Sequence, residues 1–316
     1  MQVAAQKIVL LGTGGTIAGT AAQSADHVGY AAGQLDIGQL VATAGAAAGS
    51  WLLECEQVAQ LDSKDMDHAV WAQLAARCAA ALARDDVRAV VVTHGTDTLE
   101  ETAFFLQRTL VPAKPLVLTC AMRPATAVAP DGPQNLLDAL ATAADARAAG
   151  VLVVCAGAIH DAALVRKVHT YRLDAFGCGD AGPVGYVEQA AVRWLRASAA
   201  AAGDAPAVPW PLPAPASWPR VEIVASHAGA GGTVVELLVR SGVHGIVVAA
   251  TGNGTVHRDL EAALLRAEAA GVRVLRATRC AAGRIVPRPG DTLAEAGQLT
   301  PAQARVALLL DLLARP

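Results

Sequence analysis

Lys7-Ile8-Val9-Leu10-Leu11-Gly12-Thr13-Gly14-Gly15-Thr16-Ile17-Ala18-Gly19 is an apolar run of strand length that breaks into a glycine- and threonine-rich turn. The arrangement recurs at Ala89-Val90-Val91-Val92-Thr93-His94-Gly95-Thr96-Asp97-Thr98. Runs with no polar alternation read as strands buried on both faces, as in a parallel sheet covered by helices. Both turns therefore stand where an open α/β sheet delivers the carboxyl ends of its strands, the place where such sheets bind ligands. Two threonines held there by glycine turns point to hydroxyl chemistry, since a nucleophile needs an exposed, backbone-positioned oxygen.

Outward from these segments, strand-like and helical patterns alternate. Strand 7–11 is followed by helices 35–48 and 66–84, strand 89–93, helix 98–109, strand 116–120, helix 133–148 and strand 151–155. Short connections between such elements predict a mostly parallel sheet with flanking helices. Ala197–Pro219, with six prolines, favours extended backbone and reads as a linker. The pattern then resumes as strand 221–225, helix 233–241, strand 245–250, helix 257–270, strand 272–277 and helix 301–314. The expectation is two α/β domains: a larger one over residues 1–196, an Ala/Pro-rich linker at 197–219, and a smaller one over 220–316.

Composition narrows the class. The 316 residues are enough for two domains with a substantial core. A formal charge of −3 offers no basic field for nucleic acid or an anionic membrane. Hydrophobic residues reach 53%, but alanine supplies much of this and no run approaches the roughly 20 residues of a membrane span. Met1–Lys7 enters the first strand almost at once, so no signal peptide is expected. The six cysteines are scattered without a CxxC pair, which suits reduced thiols better than a disulfide framework or zinc site. A cytoplasmic location and no metal are expected. Of 25 basic residues only Lys7, Lys64, Lys114 and Lys167 are lysines, a hint that some mark a titratable amine.

Gly12-x-Gly14 invites a dinucleotide-binding interpretation but fails it, because Ile17 stands where the fingerprint requires glycine. The small-residue tract from there to Gly33, containing Tyr30, has the composition of a mobile flap. Thr98-x-x-Glu101 has capping-box spacing, which would set Gly95, Thr96 and Asp97 at the positive end of a helix. Asp97 is suited to hold an ammonium group and Thr96 to present a hydroxyl. His94, between strand end and turn, reads as structural. In Leu61-Asp62-Ser63-Lys64-Asp65-Met66 either Ser63 or Asp65 suits a helix cap, and free amides of such a turn also receive a carboxylate. Lys167, if buried near Asp97, is a candidate base.

These segments together resemble the bacterial-type L-asparaginase family almost end to end. Its TGGTIAG signature stands at Thr13–Gly19 and its HGTDT signature at His94–Thr98. Met122-Arg123-Pro124, Asp131-Gly132-Pro133-Gln134-Asn135-Leu136, Gly182-Pro183-Val184-Gly185-Tyr186 and Gly252-Asn253-Gly254 continue the pattern in order. The resemblance implies hydrolysis of L-asparagine to L-aspartate and ammonia through an acyl-enzyme, with no cofactor. By motif, Thr16 is the implied nucleophile and Tyr30 its activating partner. Thr96, Asp97 and Lys167 form the implied proton-handling cluster, with Thr96 the rival nucleophile. Gly15, Ser63, Lys64, Gly95, Thr96, Asp97 and Asn253 are the implied substrate-binding positions. A homotetramer of two intimate dimers is implied, each site completed by the neighbour's Asn253 loop.

Three departures stand out. Thr255 replaces a common asparagine, Lys64 replaces a common glutamine, and no acid follows Gly283 before Asp291, where many members supply a glutamate. A preference for glutamine, an amide-releasing tRNA amidotransferase subunit and a non-catalytic amino-acid binder are the competing expectations. The amidotransferase subunit ranks low, because it would carry an additional N-terminal segment.

Overall fold

The computed structural model describes residues 6–45, 48, 51–197 and 208–315. The chain divides into two compact units, Met1–Asp204 and Ala205–Pro316. Residues 198–207 of the expected linker lie outside the described residues, as do Met1–Ala5. In the part that is described, Trp218 is buried and its indole donates to the Pro213 carbonyl at 3.0 Å.

In chain order the first unit contains β1 (Lys7–Gly14), α1 (Ile37–Thr43), β2 (Leu52–Leu61), α2 (His68–Leu82), β3 (Val87–Thr93), α3 (Leu99–Leu110), β4 (Leu116–Thr119) and α4 (Gly132–Ala144). It continues with β5 (Val151–Cys155), β6 (Ala158–Asp161), β7 (Arg166–Lys167), β8 (Phe176–Gly177), β9 (Gly185–Glu188) and β10 (Ala191–Trp194). The main sheet runs β10-β9-β6-β5-β4-β3-β1-β2. The five strands from β5 to β2 are parallel, while β6, β9 and β10 extend the sheet with antiparallel pairing. Strands β7 and β8 form a separate antiparallel hairpin.

Ile8, Leu10, Val91, Val117 and Leu152 pack on one face against Ile37 and Leu40 of α1 and Leu136 and Leu140 of α4. On the other face, α2 and α3 meet through stacked Trp71 and Phe105, ring centroids 4.8 Å apart. Burial of each large aliphatic side chain contributes about 1.5–3 kcal/mol, so strands sandwiched this way must be apolar throughout. From β1 the chain passes to β2 on one side and then to β3 on the other. The crevice beyond the carboxyl ends of β1 and β3 is therefore a topological switch point.

The second unit contains β11 (Val221–Ala225), α5 (Thr233–Arg240), β12 (Gly245–Ala250), α6 (Arg258–Ala269), β13 (Arg273–Thr278) and α7 (Pro301–Leu313). Its sheet is parallel in the order β11-β12-β13. No helix among the described residues is long and apolar enough to cross a membrane.

Several expectations need correction. Helix 35–48 shrinks to α1: Asp36 and Gln39 form a capping box at its start, and Gly45 at φ +65° ends it. Helix 133–148 stops at Ala144, because Asp145 turns extended and accepts from Trp194 Nε1. Neither Ser63 nor Asp65 caps α2; Asp67 does, through Val70 N at 2.8 Å. Thr98 makes no capping hydrogen bond to α3, because its hydroxyl donates instead to Ser63 O at 2.8 Å. Strand β2 was absent from the expected elements. It lies at the sheet edge, so Glu54, Glu56 and Gln57 interrupt its apolar pattern.

Candidate active site

The two threonine turns meet through their glycines. Gly15 adopts φ 82°, ψ −172°, and a Cβ built on it would lie 2.3 Å from Gly95 Cα. Only glycine permits both that backbone and that approach. A Cβ on Gly95 would in turn strike Ser63 Oγ at 2.5 Å. Three segments distant in sequence thus close on one point: the end of β1, the end of β3 and the turn after β2. Gly15 N donates to Leu61 O, and Thr13 Oγ1 to Thr93 O, fixing these ends together.

Beyond Gly15 the chain makes one 3₁₀ turn, Thr16–Ala18, which leaves Thr16 only 6% exposed. Its Oγ1 lies 2.5 Å from Tyr30 Oη. The segment carrying Tyr30 is closed at its base by paired hydrogen bonds between Thr20 and Ala31. Gly33 N donates to Gly15 O, which returns the segment to the turn it left.

After β3, Thr96 and Asp97 face the β7–β8 hairpin. Lys167 Nζ donates to Thr96 Oγ1 at 2.9 Å and to Asp97 Oδ1 at 2.7 Å. The backbone of Lys167 is anchored separately, its N–H donating to Glu100 Oε2 at 2.5 Å. Ser63 Oγ accepts from Asp97 N at 3.1 Å, so its own proton is available to a ligand. The result is a hydroxyl–phenol pair and a hydroxyl–ammonium–carboxylate group, held on turns whose glycines touch. Such an arrangement can attack a carbonyl carbon, receive the resulting charge and move protons.

The Asparaginase, N-terminal family model matches residues 7–200, and the Glutaminase/Asparaginase C-terminal domain model matches 220–315. The chain belongs to the asparaginase family. It is 35% identical to L-asparaginase 2 of Escherichia coli over 98% of this chain and 90% of that relative. It is 34% identical to a glutaminase-asparaginase of Pseudomonas fluorescens, over 96% and 86%. Among solved structures, a probable cytoplasmic L-asparaginase from Campylobacter jejuni superposes with a TM-score of 0.89 at 36% identity, covering 97% of this chain and 95% of that one.

Against this asparaginase framework, the remaining candidates sort themselves. His94 is fully buried, donates from Nδ1 to Gly95 O at 2.7 Å, and is pulled down to about 4 by burial. A neutral imidazole bonded to its own turn is a structural part. The Lys64 ammonium is held by Asp62 Oδ2 at 2.5 Å, with Asp65 at 3.7 Å, and its side chain is 62% exposed. Asn253, in the second unit, binds the backbone of Val286 in both directions, donating at 2.9 Å and accepting at 2.8 Å. Asp291 accepts from Arg276 Nη2 at 2.9 Å and from Arg288 N, and these bonds hold its carboxyl below the usual range. Glu100 was missed from sequence. It is 67 residues from Lys167, and no local pattern links an acid in the first turn of a helix to a later backbone amide.

Proposed function

We propose that this asparaginase hydrolyses L-asparagine to L-aspartate and ammonia through an ester on Thr16. The 2.5 Å contact between Thr16 Oγ1 and Tyr30 Oη is the observation that carries the reading. A free threonine hydroxyl is a weak nucleophile and needs a partner to take its proton. As Thr16 Oγ bonds to the side-chain amide carbon, its proton passes to Tyr30 and on to the departing nitrogen, which leaves as ammonia. Backbone N–H groups of the turn before α3 are suited to the developing oxyanion, because negative charge is favoured at a helix N-terminus. Water, oriented by Thr96 and the Lys167–Asp97 pair, then attacks the ester carbon and releases aspartate and Thr16. Ser63 Oγ–H would receive the α-carboxylate and the second carboxylate oxygen of Asp97 the α-ammonium group, with Gly15 and Gly95 as the floor.

The same geometry would accept L-glutamine, and the Pseudomonas relative's name supports testing it. One methylene in a pocket discriminates by only about 1–3 kcal/mol. A homotetramer of two intimate dimers, with the Asn253 turn of a neighbour completing each site, and a cytoplasmic location belong to the same proposal. The Campylobacter relative, described as a probable cytoplasmic L-asparaginase, supports the location.

The test is Thr16→Ala with ammonia release followed from L-asparagine, D-asparagine and L-glutamine. Loss of release at unchanged thermal midpoint is expected. Mass spectrometry of acid-quenched enzyme should place the acyl adduct on the peptide carrying Thr16. An adduct on Thr96, or most of the activity retained in Thr16→Ala, would reverse the assignment.

A further inference from the structure

Apart from the threonine turns, the first unit holds a cavity of about 830 Å³ against one side of α4. Its size is that of small-molecule sites, roughly 300–1,000 Å³. Trp51, Leu137 and Leu173 supply apolar wall, and no lysine or arginine lines it among the described residues. Two turns border it with non-glycine residues in the left-handed region, Ala156 at φ 49° and Gln189–Ala190 at φ 51° and 59°.

The group that makes this more than a surface hollow is Asp138. It lines the cavity, yet only 5% of the residue is exposed. Gln134 Nε2 donates to Oδ1 at 2.8 Å, and no hydrogen bond to the other carboxylate oxygen is found among the described residues. Nearby Asp131 is different, its oxygens being satisfied by Met122 N, Arg123 N and Asn135 Nδ2. Burial pushes the Asp138 carboxyl up, the direction expected of a carboxylate that has lost water and gained no cation. A buried carboxylate without a cationic partner is unfavourable, and an ammonium placed beside it would offset that cost.

We propose that this cavity is a second, non-catalytic binding site for a small organic cation, a primary ammonium on an apolar or aromatic body. The ammonium would sit on the open oxygen of Asp138, and the body against Trp51, Leu137 and Leu173. An indole face adds attraction for a cation, and no cationic side chain among the described residues lines the cavity to hold an anion of the same shape. The proposal does not depend on how the threonine turns act.

Isothermal titration of the whole protein with 2-phenylethylammonium tests it, beside the neutral isostere 2-phenylethanol and the anion 3-phenylpropionate. Saturable binding of the amine at least tenfold tighter than of either isostere is expected, unchanged by saturating L-aspartate. Asp138→Asn, which keeps the shape and the Gln134 contact, should weaken the amine at least tenfold and leave the alcohol unaffected. Displacement by L-aspartate would put the amine at the threonine turns and overturn the proposal. Equal affinity for the three ligands, or no binding because a second copy of the chain covers the cavity, would overturn it as well. The isostere series uses the unmodified protein, so a folding defect in Asp138→Asn does not decide the outcome.

Discussion

Replacing Gly15 by alanine tests the contact that brings the two threonine turns together. The added Cβ would lie 2.3 Å from Gly95 Cα and 2.4 Å from Gly95 N. Ordinary carbon contact begins near about 3.5 Å, so the turns must part by about 1 Å. The backbone at φ 82°, ψ −172° adds a conformational cost of about 1–3 kcal/mol for any residue with a side chain. At about 2–4 °C per kcal/mol the first unit should melt about 2–12 °C lower. It should still be folded at 25 °C, where domains hold about 5–15 kcal/mol in reserve. A displacement of about 1 Å between reacting groups costs about 10²-fold in rate, so ammonia release well below the melting point should fall by that factor. Gly45→Ala is the control, since its φ of +65° is also left-handed but a Cβ there meets nothing within 4 Å among the described residues. It should lower the melting point and spare activity. Gly15→Ala enzyme within threefold of the parent rate would refute the idea that the spacing of these turns sets catalysis.

Three further outcomes follow from the geometry. Lys64→Gln should leave KM for L-asparagine within about threefold, as expected for an exposed ion pair worth about 0–1 kcal/mol, because Asp62 and Asp65 already engage the ammonium; a tenfold rise would return Lys64 to the site. Burial holds His94 and His160 at about 4, below the ordinary 6.5, so the unfolded chain takes up protons that the folded one refuses. Stability should therefore fall as pH drops from about 6.5 to 4, by up to about 1.4 kcal/mol per pH unit for each histidine. Urea unfolding of His160→Asn should show a shallower slope, and an unchanged slope would contradict it. Activity should require assembly, so a fully active monomer in sedimentation would remove the neighbour's Asn253 turn from the site.

What could be read in advance depended on burial. Strands β1, β3, β4, β5 and β12 are covered by helices, so each carries an apolar run visible to inspection, while β11 and β13 keep enough Val, Ile, Leu and Ala around Glu222, Arg273 and Arg276 to be read as strands. Buried β6, only four residues ending in His160-Asp161, is too short to show a pattern; strand β2 and the antiparallel strands β7, β9 and β10 have solvated edges or faces and carry Glu54, Glu56, Arg166, Glu188 and Arg193 among their residues. Their periodicity is broken by the same exposure that places them at the margin. Helix ends shifted for a related reason. Thr98 has the sequence of a cap but spends its hydroxyl on Ser63 O, a partner 35 residues away.

The sequence by itself determined the fold class, the family, and the turns that carry Thr16, Thr96 and Asp97. Those properties are written in local glycine chemistry and in the burial of individual strands. Only the tertiary structure decided which side chains act together. The Thr16–Tyr30 contact, the Ser63–Asp97 bond, the Lys167 pairing with Thr96 and Asp97, and the Glu100 anchor all join separate segments. It also brought Lys64 to Asp62 and Asp65 and left one oxygen of Asp138 without a hydrogen bond among the described residues, inside a cavity. Hydrogen bonds act over about 3 Å, and only the folding of β1, β2 and β3 into adjacent parallel strands brings those segments within that range.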